Sequence, residues 1–139
     1  MKNVSIITTI FLLLSASICL SQDPVDQGKQ LFHGGKYNDA KSIFEQVLRS
    51  DPHNAEANHF LGRIYFEGGD LDEAEDYLEK AIETDEKKID YHLSLATVYQ
   101  EKTRMAFFLS APFLAKKWLT ELERAFELDT RYLEARKRV

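Results

Sequence analysis

Cysteine, proline and glycine are scarce in this 139-residue sequence, which has one cysteine, three prolines and six glycines. Because the single cysteine, Cys19, lies in the N-terminal segment, the rest of the chain has no disulfide and must be held together by burial alone. HExxH and GxSxG motifs and a glycine-rich phosphate loop are also missing. These absences argue against a hydrolase or a metalloenzyme, and we expect no catalytic activity and no cofactor.

Basic residues are outnumbered by acidic residues, 18 to 23, which gives a formal net charge of -5. The acidic side chains are spread over predicted helix faces, as at Asp70, Asp72 and Glu73, which is typical of a solvated surface. This charge balance argues against a nucleic-acid partner.

The N-terminal segment, residues 1–21, has the features of an export signal. Lys2 supplies a positive charge, residues 6–16 are apolar, and small residues precede Gln22. We expect cleavage after Ser21 and a mature chain of residues 22–139 in the periplasm or outside the cell. Two alternatives stay open: lipidation of Cys19, although the residues before it form a poor lipobox, and an uncleaved membrane anchor, although the apolar run is short.

A 34-residue period organises the remaining sequence. The glycines form three pairs at this spacing: Gly28 with Gly62, Gly34 with Gly68, and Gly35 with Gly69. Apolar positions recur in the same register, for example Ala40 with Ala74 and Leu48 with Ile82. Such a period indicates stacked structural repeats.

The repeated glycines have two different physical roles in this interpretation. Gly28 and Gly62 lie inside helical patterns, so we expect a neighbouring helix to pack closely against each of them. The Gly34-Gly35 and Gly68-Gly69 pairs supply the positive φ of a tight turn between antiparallel helices. Pro52 is expected in the first turn of the helix that begins the next unit.

With these residues the chain resembles the tetratricopeptide repeat, a helix-turn-helix unit with the same period. Repeats one to three span about 21–54, 55–88 and 89–132, and residues 133–139 resemble the start of a fourth. The second repeat shows the family's signature most fully, with Leu61, Gly62, Tyr65, Gly69, Ala74, Leu78 and Ala81. The resemblance implies an all-α fold, an α-solenoid of about three antiparallel helical hairpins with a short C-terminal helix.

Seven helices are predicted in the mature chain. They cover about 24–33, 37–50, 53–67, 71–84, 86 to the break at 110–112, 112–128, and 133–139. The last is interpreted either as a solvating cap or as the beginning of a unit in a truncated chain.

The third repeat contains an insertion of about ten residues, so we expect both of its helices to be about five residues longer and its hairpin to project about 7 Å. The tip would carry Phe107, Phe108, Phe113 and Leu114. Packing of these side chains across the hairpin is the simpler interpretation. The alternative is an exposed patch that contacts a partner, a second copy or a membrane surface beside Trp118.

The resemblance also implies a binding surface, because in this family the first helix of each repeat lines a concave face. The implied partner-binding residues are Lys29, Phe32, His59, Arg63, Phe66 and Gln100. Phe32 and Phe66 would anchor an extended peptide or partner helix, and Lys29 and Arg63 would bind its carboxylates. The alternative for both phenylalanines is that they only pack between neighbouring units.

Two more specific sites are disfavoured by the sequence. The carboxylate clamp of chaperone-binding members of the family is not reproduced here, and only Lys29 could serve in a related role. Four of the clamp's polar or basic positions are occupied by Val25, Phe60, Asp90 and Ser94. A metal site between His59 and His92 has no cysteine or carboxylate cluster to complete it.

We therefore expect an exported, non-catalytic protein-interaction scaffold that binds a protein or peptide. The alternative is a membrane-associated assembly factor that uses the extended hairpin or a lipidated Cys19.

Overall fold

The computed structural model describes residues 23–106 and 110–137, with side chains as far as Arg131. Within these ranges all regular structure is helical, and there are six helices. They are α1 (Pro24–His33), α2 (Tyr37–Ser50), α3 (Ala55–Glu67), α4 (Leu71–Thr84), α5 (Ile89–Met105) and α6 (Ala111–Lys137). The predicted export signal and Cys19 lie outside the described residues.

The helix boundaries follow from capping side chains and glycine turns. Asp23 accepts a hydrogen bond from the backbone N–H of Val25 at 3.0 Å and so caps α1, which has proline at its start. Asn54 caps α3 in the same way. Since α3 begins only at Ala55, Pro52 lies in the preceding turn and not in a first helical turn as predicted.

In the turns of the first two hairpins, one glycine of each pair has the predicted positive φ. Gly35 and Gly69 have φ of 72° and 82°, the left-handed region in which glycine is favoured. Gly34 and Gly68, with φ of -80° and -76°, keep ordinary backbone geometry.

Close packing at the two helical glycines holds each of these hairpins together. A Cβ atom added to Gly28 would lie 2.6 Å from Cε1 of Phe44, and one added to Gly62 would lie 2.6 Å from Cγ of Leu78. Phe44 and Leu78 are themselves completely buried. The absence of a side chain at each glycine therefore lets the second helix of the hairpin bring its large residue onto the first helix.

The hairpins α1–α2, α3–α4 and α5–α6 stack in chain order. Each second helix contacts the first helix of the next hairpin, and the first helices α1, α3 and α5 also contact one another in sequence. Buried side chains such as Leu61 and Val98 belong to clusters shared between hairpins. The expected all-α solenoid of about three helical hairpins is confirmed.

A polar network joins the third hairpin to the second. The carboxylate of Glu75 on α4 accepts hydrogen bonds from the hydroxyl of Tyr99 and the ammonium group of Lys117, both at 2.9 Å, and from Lys102. Burial alone would raise the pKa of Glu75, but the hydrogen bonds from these three groups outweigh burial and lower it below its usual value. The interface between the last two units is therefore partly electrostatic.

The third hairpin is longer than the others, as the insertion predicts. Helix α5 has 17 residues and α3 has 13, so α5 extends about 6 Å further at 1.5 Å per residue. Phe107 and Phe108 lie outside the described residues, and their packing across the hairpin stays a prediction. Of the described tip residues, Leu114 packs against the second core cluster, whereas Phe113 is 65% exposed.

The predicted break after Leu128 is wrong, because α6 runs without interruption for 27 residues to Lys137. The segment between Leu128 and Leu133 contains no glycine or proline, so its backbone has no reason to leave the helix. The short C-terminal helix is therefore the end of α6.

In the described part of the chain, no helix combines the length and apolar character needed to cross a membrane.

Candidate functional site

A cleft of about 570 Å³ opens on the layer formed by α1, α3 and α5. Most of its lining comes from α3 and the first half of α5, with contributions from the end of α1 and from α4. The lining residues are His33, Glu56, His59, Phe60, Arg63, Phe66, Glu67, Leu78, Lys88, Asp90, Tyr91, Leu93, Ser94 and Thr97.

Arg63 is the most distinctive side chain in this cleft. Its guanidinium carbon lies 4.5 Å from the centre of the Phe32 ring and 5.5 Å from that of Phe60. These cation–π contacts hold the charged group over an apolar support. No carboxylate among the described side chains forms an ion pair with Arg63, so its donors are open to a ligand.

The two phenylalanines predicted as anchors have different surroundings. Phe32 is only 6% exposed, and its ring packs edge-on against Phe60 with 5.2 Å between the ring centres. Because its ring is covered, Phe32 packs between the first two units, which is the alternative interpretation. It also supports the guanidinium group of Arg63 from beneath. Phe66 is partly exposed, lines the cleft and also packs against the second core cluster.

His59 forms part of the cleft wall as a neutral side chain. It is 5% exposed, its Nε2 lies 2.9 Å from Oγ of Ser94, and its ring is 4.7 Å from that of Tyr91. Burial lowers the pKa of His59 to about 4, and the positive charges of Arg63 and Lys88 contribute in the same direction. At neutral pH this residue is therefore uncharged and forms part of the aromatic wall of the cleft, whereas Arg63 and Lys88 supply the positive charge.

Lys29 and Gln100 lie outside the lining of the cleft. The ammonium group of Lys29 is 2.8 Å from a carboxylate oxygen of Asp26 and 3.1 Å from one of Glu56. The hydrogen bond to Asp26, and to a smaller extent the one to Glu56, raises the pKa of Lys29. This lysine is therefore charged and paired with carboxylates of its own chain. Gln100 is exposed on α5, but the cleft ends at Thr97.

The two histidines considered for a metal site have separate partners. His92 is hydrogen-bonded through Nδ1 to Glu121 at 2.7 Å and through Nε2 to the carbonyl of Glu86 at 2.8 Å. Both ring nitrogens of His92 are therefore hydrogen-bonded, one to the third hairpin and the other to the turn that precedes it. In the described ranges, no three His, Cys, Asp or Glu side chains are grouped as a metal site would require.

The start of α5 supplies cleft residues that the predicted partner-binding set does not include. Lys88 stands at the N-cap of α5, and Asp90 and Tyr91 follow in its first turn. Burial raises the pKa of Tyr91 to about 12, so its phenol stays neutral. Lys88 and Asp90 give the cleft charges of both signs. The feature of the sequence that could have identified these residues is their place at the start of the third repeat.

The comparisons with known proteins agree with this architecture. A family model described as tetratricopeptide repeat matches residues 31–98. No curated protein matches the sequence.

Solved structures extend the likeness to most of the chain. A thermophilic TPR protein of Thermus thermophilus has a TM-score of 0.71 and 24% sequence identity, covering 78% of this chain and 57% of its own. The first TPR of Spaghetti (RPAP3), bound to the HSP90 peptide SRMEEVD, has a TM-score of 0.64, 18% identity and 77% coverage of both chains. A mutant O-GlcNAc transferase of Thermobaculum terrenum has a TM-score of 0.65 and 26% identity, and the match covers 78% of this chain but 19% of the transferase.

These likenesses show a shared fold, while the ligands and activities remain those of the neighbours themselves. The chain spans a little over half of the Thermus protein, at 57% of its length. The family match over residues 31–98, the recurring glycine contacts and the stacked hairpins together show that this chain contains tetratricopeptide repeats.

Proposed function

We propose that this protein is a non-catalytic interaction scaffold that binds an extended segment of a partner protein in the cleft formed by α1, α3 and α5. The observation that carries the proposal is the position of Arg63, which lies in the cleft over two aromatic rings and has no carboxylate partner among the described side chains. A fixed guanidinium group of this kind is suited to a carboxylate, which it binds with two parallel hydrogen bonds.

The apolar part of the cleft defines the rest of the segment. Phe66 and Tyr91 lie on two neighbouring hairpins, and Leu93, which is 44% exposed, lies on the same helix as Tyr91. We therefore expect a peptide with an apolar side chain next to an acidic residue or a free C-terminus. The neighbour bound to the HSP90 peptide SRMEEVD supports peptide binding by this fold.

The test uses short peptides that combine a carboxylate with apolar side chains, with binding measured by fluorescence anisotropy. Replacing Arg63 with alanine should raise the dissociation constant of the best peptide by about 30-fold, as expected for a central arginine of an interface. Arg49→Ala is the matched control, because Arg49 is exposed at the end of α2 and does not line the cleft. Equal binding by the two variants would show that the cleft assignment is wrong.

We further propose that the protein acts outside the cytoplasm, after removal of the N-terminal segment 1–21. The support is the charged start, apolar stretch and small residues of this segment. Affinity capture with the tagged protein from the envelope fraction of its own cells would then identify the partner, and binding of that partner should also depend on Arg63. A partner bound equally by wild type and Arg63→Ala would place its contact on another surface.

A further inference from the structure

The hydroxyl group of Tyr91 has no hydrogen-bond partner among the described residues, although the side chain is only 4% exposed. In that part of the chain, no side-chain nitrogen or oxygen is both fully buried and without a hydrogen bond. The phenolic oxygen of Tyr91 therefore keeps contact with the surface. Because Tyr91 lines the cleft formed by α1, α3 and α5, we infer that this contact opens into the cleft.

Ring packing explains the size of this residue but not its hydroxyl group. The ring of Tyr91 lies 4.7 Å from that of His59, and the same register position in the second repeat is Ala57, which is completely buried. A phenylalanine would make the same ring contact without bringing a polar atom into the site. A buried phenol normally has a hydrogen-bond partner, and leaving it without one is unfavourable. We therefore expect a bound molecule to supply the acceptor.

The charges around this hydroxyl group favour a neutral acceptor. Burial raises the pKa of Tyr91, the nearby carboxylates raise it further, and an ammonium group opposes them. The charged side chains at this end of the cleft are those of Glu56, Asp85, Asp90, Lys29 and Lys88. Carboxylates outnumber ammonium groups in this set, so a ligand carboxylate would be repelled here. A main-chain carbonyl oxygen accepts a hydrogen bond without carrying a charge.

Arg63 and the hydroxyl group of Tyr91 mark two separate points along the cleft. Among the charged groups, Glu56 has the largest electrostatic effect on the phenol, which places the hydroxyl group towards Glu56. Glu56 and Arg63 are seven residues apart on one face of α3, which corresponds to about 10 Å along the helix. An extended peptide advances about 3.3 Å per residue, so groups bound at the two points would be about three residues apart.

We propose that the hydroxyl group of Tyr91 donates a hydrogen bond to a main-chain carbonyl oxygen of the bound segment, about three residues from the carboxylate that Arg63 binds. This assignment rests on the proposed function and narrows the partner to a segment that is extended between these two points. A partner helix would not satisfy the hydroxyl group, because the carbonyl oxygens of a helix are already bonded within it.

The first measurement compares peptide binding by the wild type and by Tyr91→Phe, using fluorescence anisotropy. The probe is the peptide that binds most tightly in the Arg63 experiment. Tyr91→Phe keeps the ring contact with His59, so the variant should fold like the wild type. Its dissociation constant should be about fivefold higher, as expected for the loss of one neutral hydrogen bond. Tyr77→Phe is the matched control, because Tyr77 lies on α4 outside the cleft lining, and it should leave binding unchanged.

The second measurement identifies the acceptor with copies of the same peptide in which one amide at a time is replaced by an ester. An ester carbonyl is a weaker hydrogen-bond acceptor than an amide carbonyl. At one position, the ester should weaken binding by the wild type about threefold more than binding by Tyr91→Phe. A role of Tyr91 in packing alone would not produce this coupling.

The outcomes separate this hydrogen bond from the cleft itself. Equal binding by the wild type and Tyr91→Phe, with Arg63→Ala still weakened, would overturn the hydrogen bond and leave the proposed function standing. An ester series in which no position is coupled to Tyr91 would overturn it as well. Equal binding by the wild type and Arg63→Ala would overturn the cleft assignment and this inference together.

Discussion

Replacing Gly62 with alanine should destabilise the protein, although alanine is the better helix former. Helix propensity alone favours the substitution by about 1 kcal/mol. The new Cβ atom, however, would lie 2.6 Å from Cγ of Leu78 and 3.1 Å from the backbone carbonyl oxygen of Ala74. Overpacking of this kind costs about 1–3 kcal/mol, and here the backbone oxygen limits relaxation. Because that oxygen places the cost in the upper part of this range, about 2–3 kcal/mol, we expect a net loss of about 1–2 kcal/mol in the free energy of unfolding.

The assay is urea denaturation followed by circular dichroism, with Gly68→Ala as the matched control. Gly68 ends the same helix, has a negative φ, and its added Cβ would meet no atom closer than 3.4 Å. That variant should be neutral or slightly stabilised. In a double-mutant cycle, Gly62→Ala should cost less once Leu78 is also alanine, because the clashing side chain is gone. Equal stability of the Gly62 and Gly68 variants would refute close packing between α3 and α4.

The remaining predictions concern charge and processing. Between about pH 8 and about pH 5, the free energy of unfolding of the wild type should fall by about 2 kcal/mol more than that of His59→Gln. The reason is that protonation of His59 in the unfolded chain begins near its ordinary pKa of 6.5, whereas the folded-state pKa is about 4. Glu75→Gln should lower the free energy of unfolding by about 1–3 kcal/mol, because three donors lose a charged acceptor, while Asp76→Asn on the exposed side of α4 should change it little. Mass spectrometry of the exported protein should find Gln22 at the mature N-terminus.

Each of these outcomes has a clear contrary result. A pH profile of His59→Gln that parallels the wild type would contradict the low pKa of His59. Equal stability of the Glu75 and Asp76 variants would mean that the network between α4, α5 and α6 contributes nothing. Retention of the N-terminal segment 1–21, or a lipid on Cys19, would replace the predicted cleavage.

The sequence predicts the first two hairpins well, because their structure depends on local signals. The bounds of α2 and α4 agree with the prediction at both ends, since a glycine turn precedes each helix and the 34-residue period fixes its length. The end of α6 is predicted wrongly. The repeat pattern indicated a new unit after Leu128, but no glycine or proline interrupts the helix there.

The candidate site was predictable only in part. His59, Arg63 and Phe66 line the cleft because their repeat positions fix the direction of their side chains. The pairing of Lys29 with Glu56 and the covering of Phe32 depend on distances between neighbouring hairpins, which the sequence pattern does not encode.

The central claim is that three stacked hairpins display one working cleft on the layer of first helices. Chemical-shift mapping of the isotope-labelled protein with a bound peptide tests this claim most directly. The account predicts that the largest shifts occur at Arg63, Tyr91 and Ser94, with little change on the outer faces of α2 and α4. Shifts concentrated on those outer faces, with Arg63 unaffected, would contradict it.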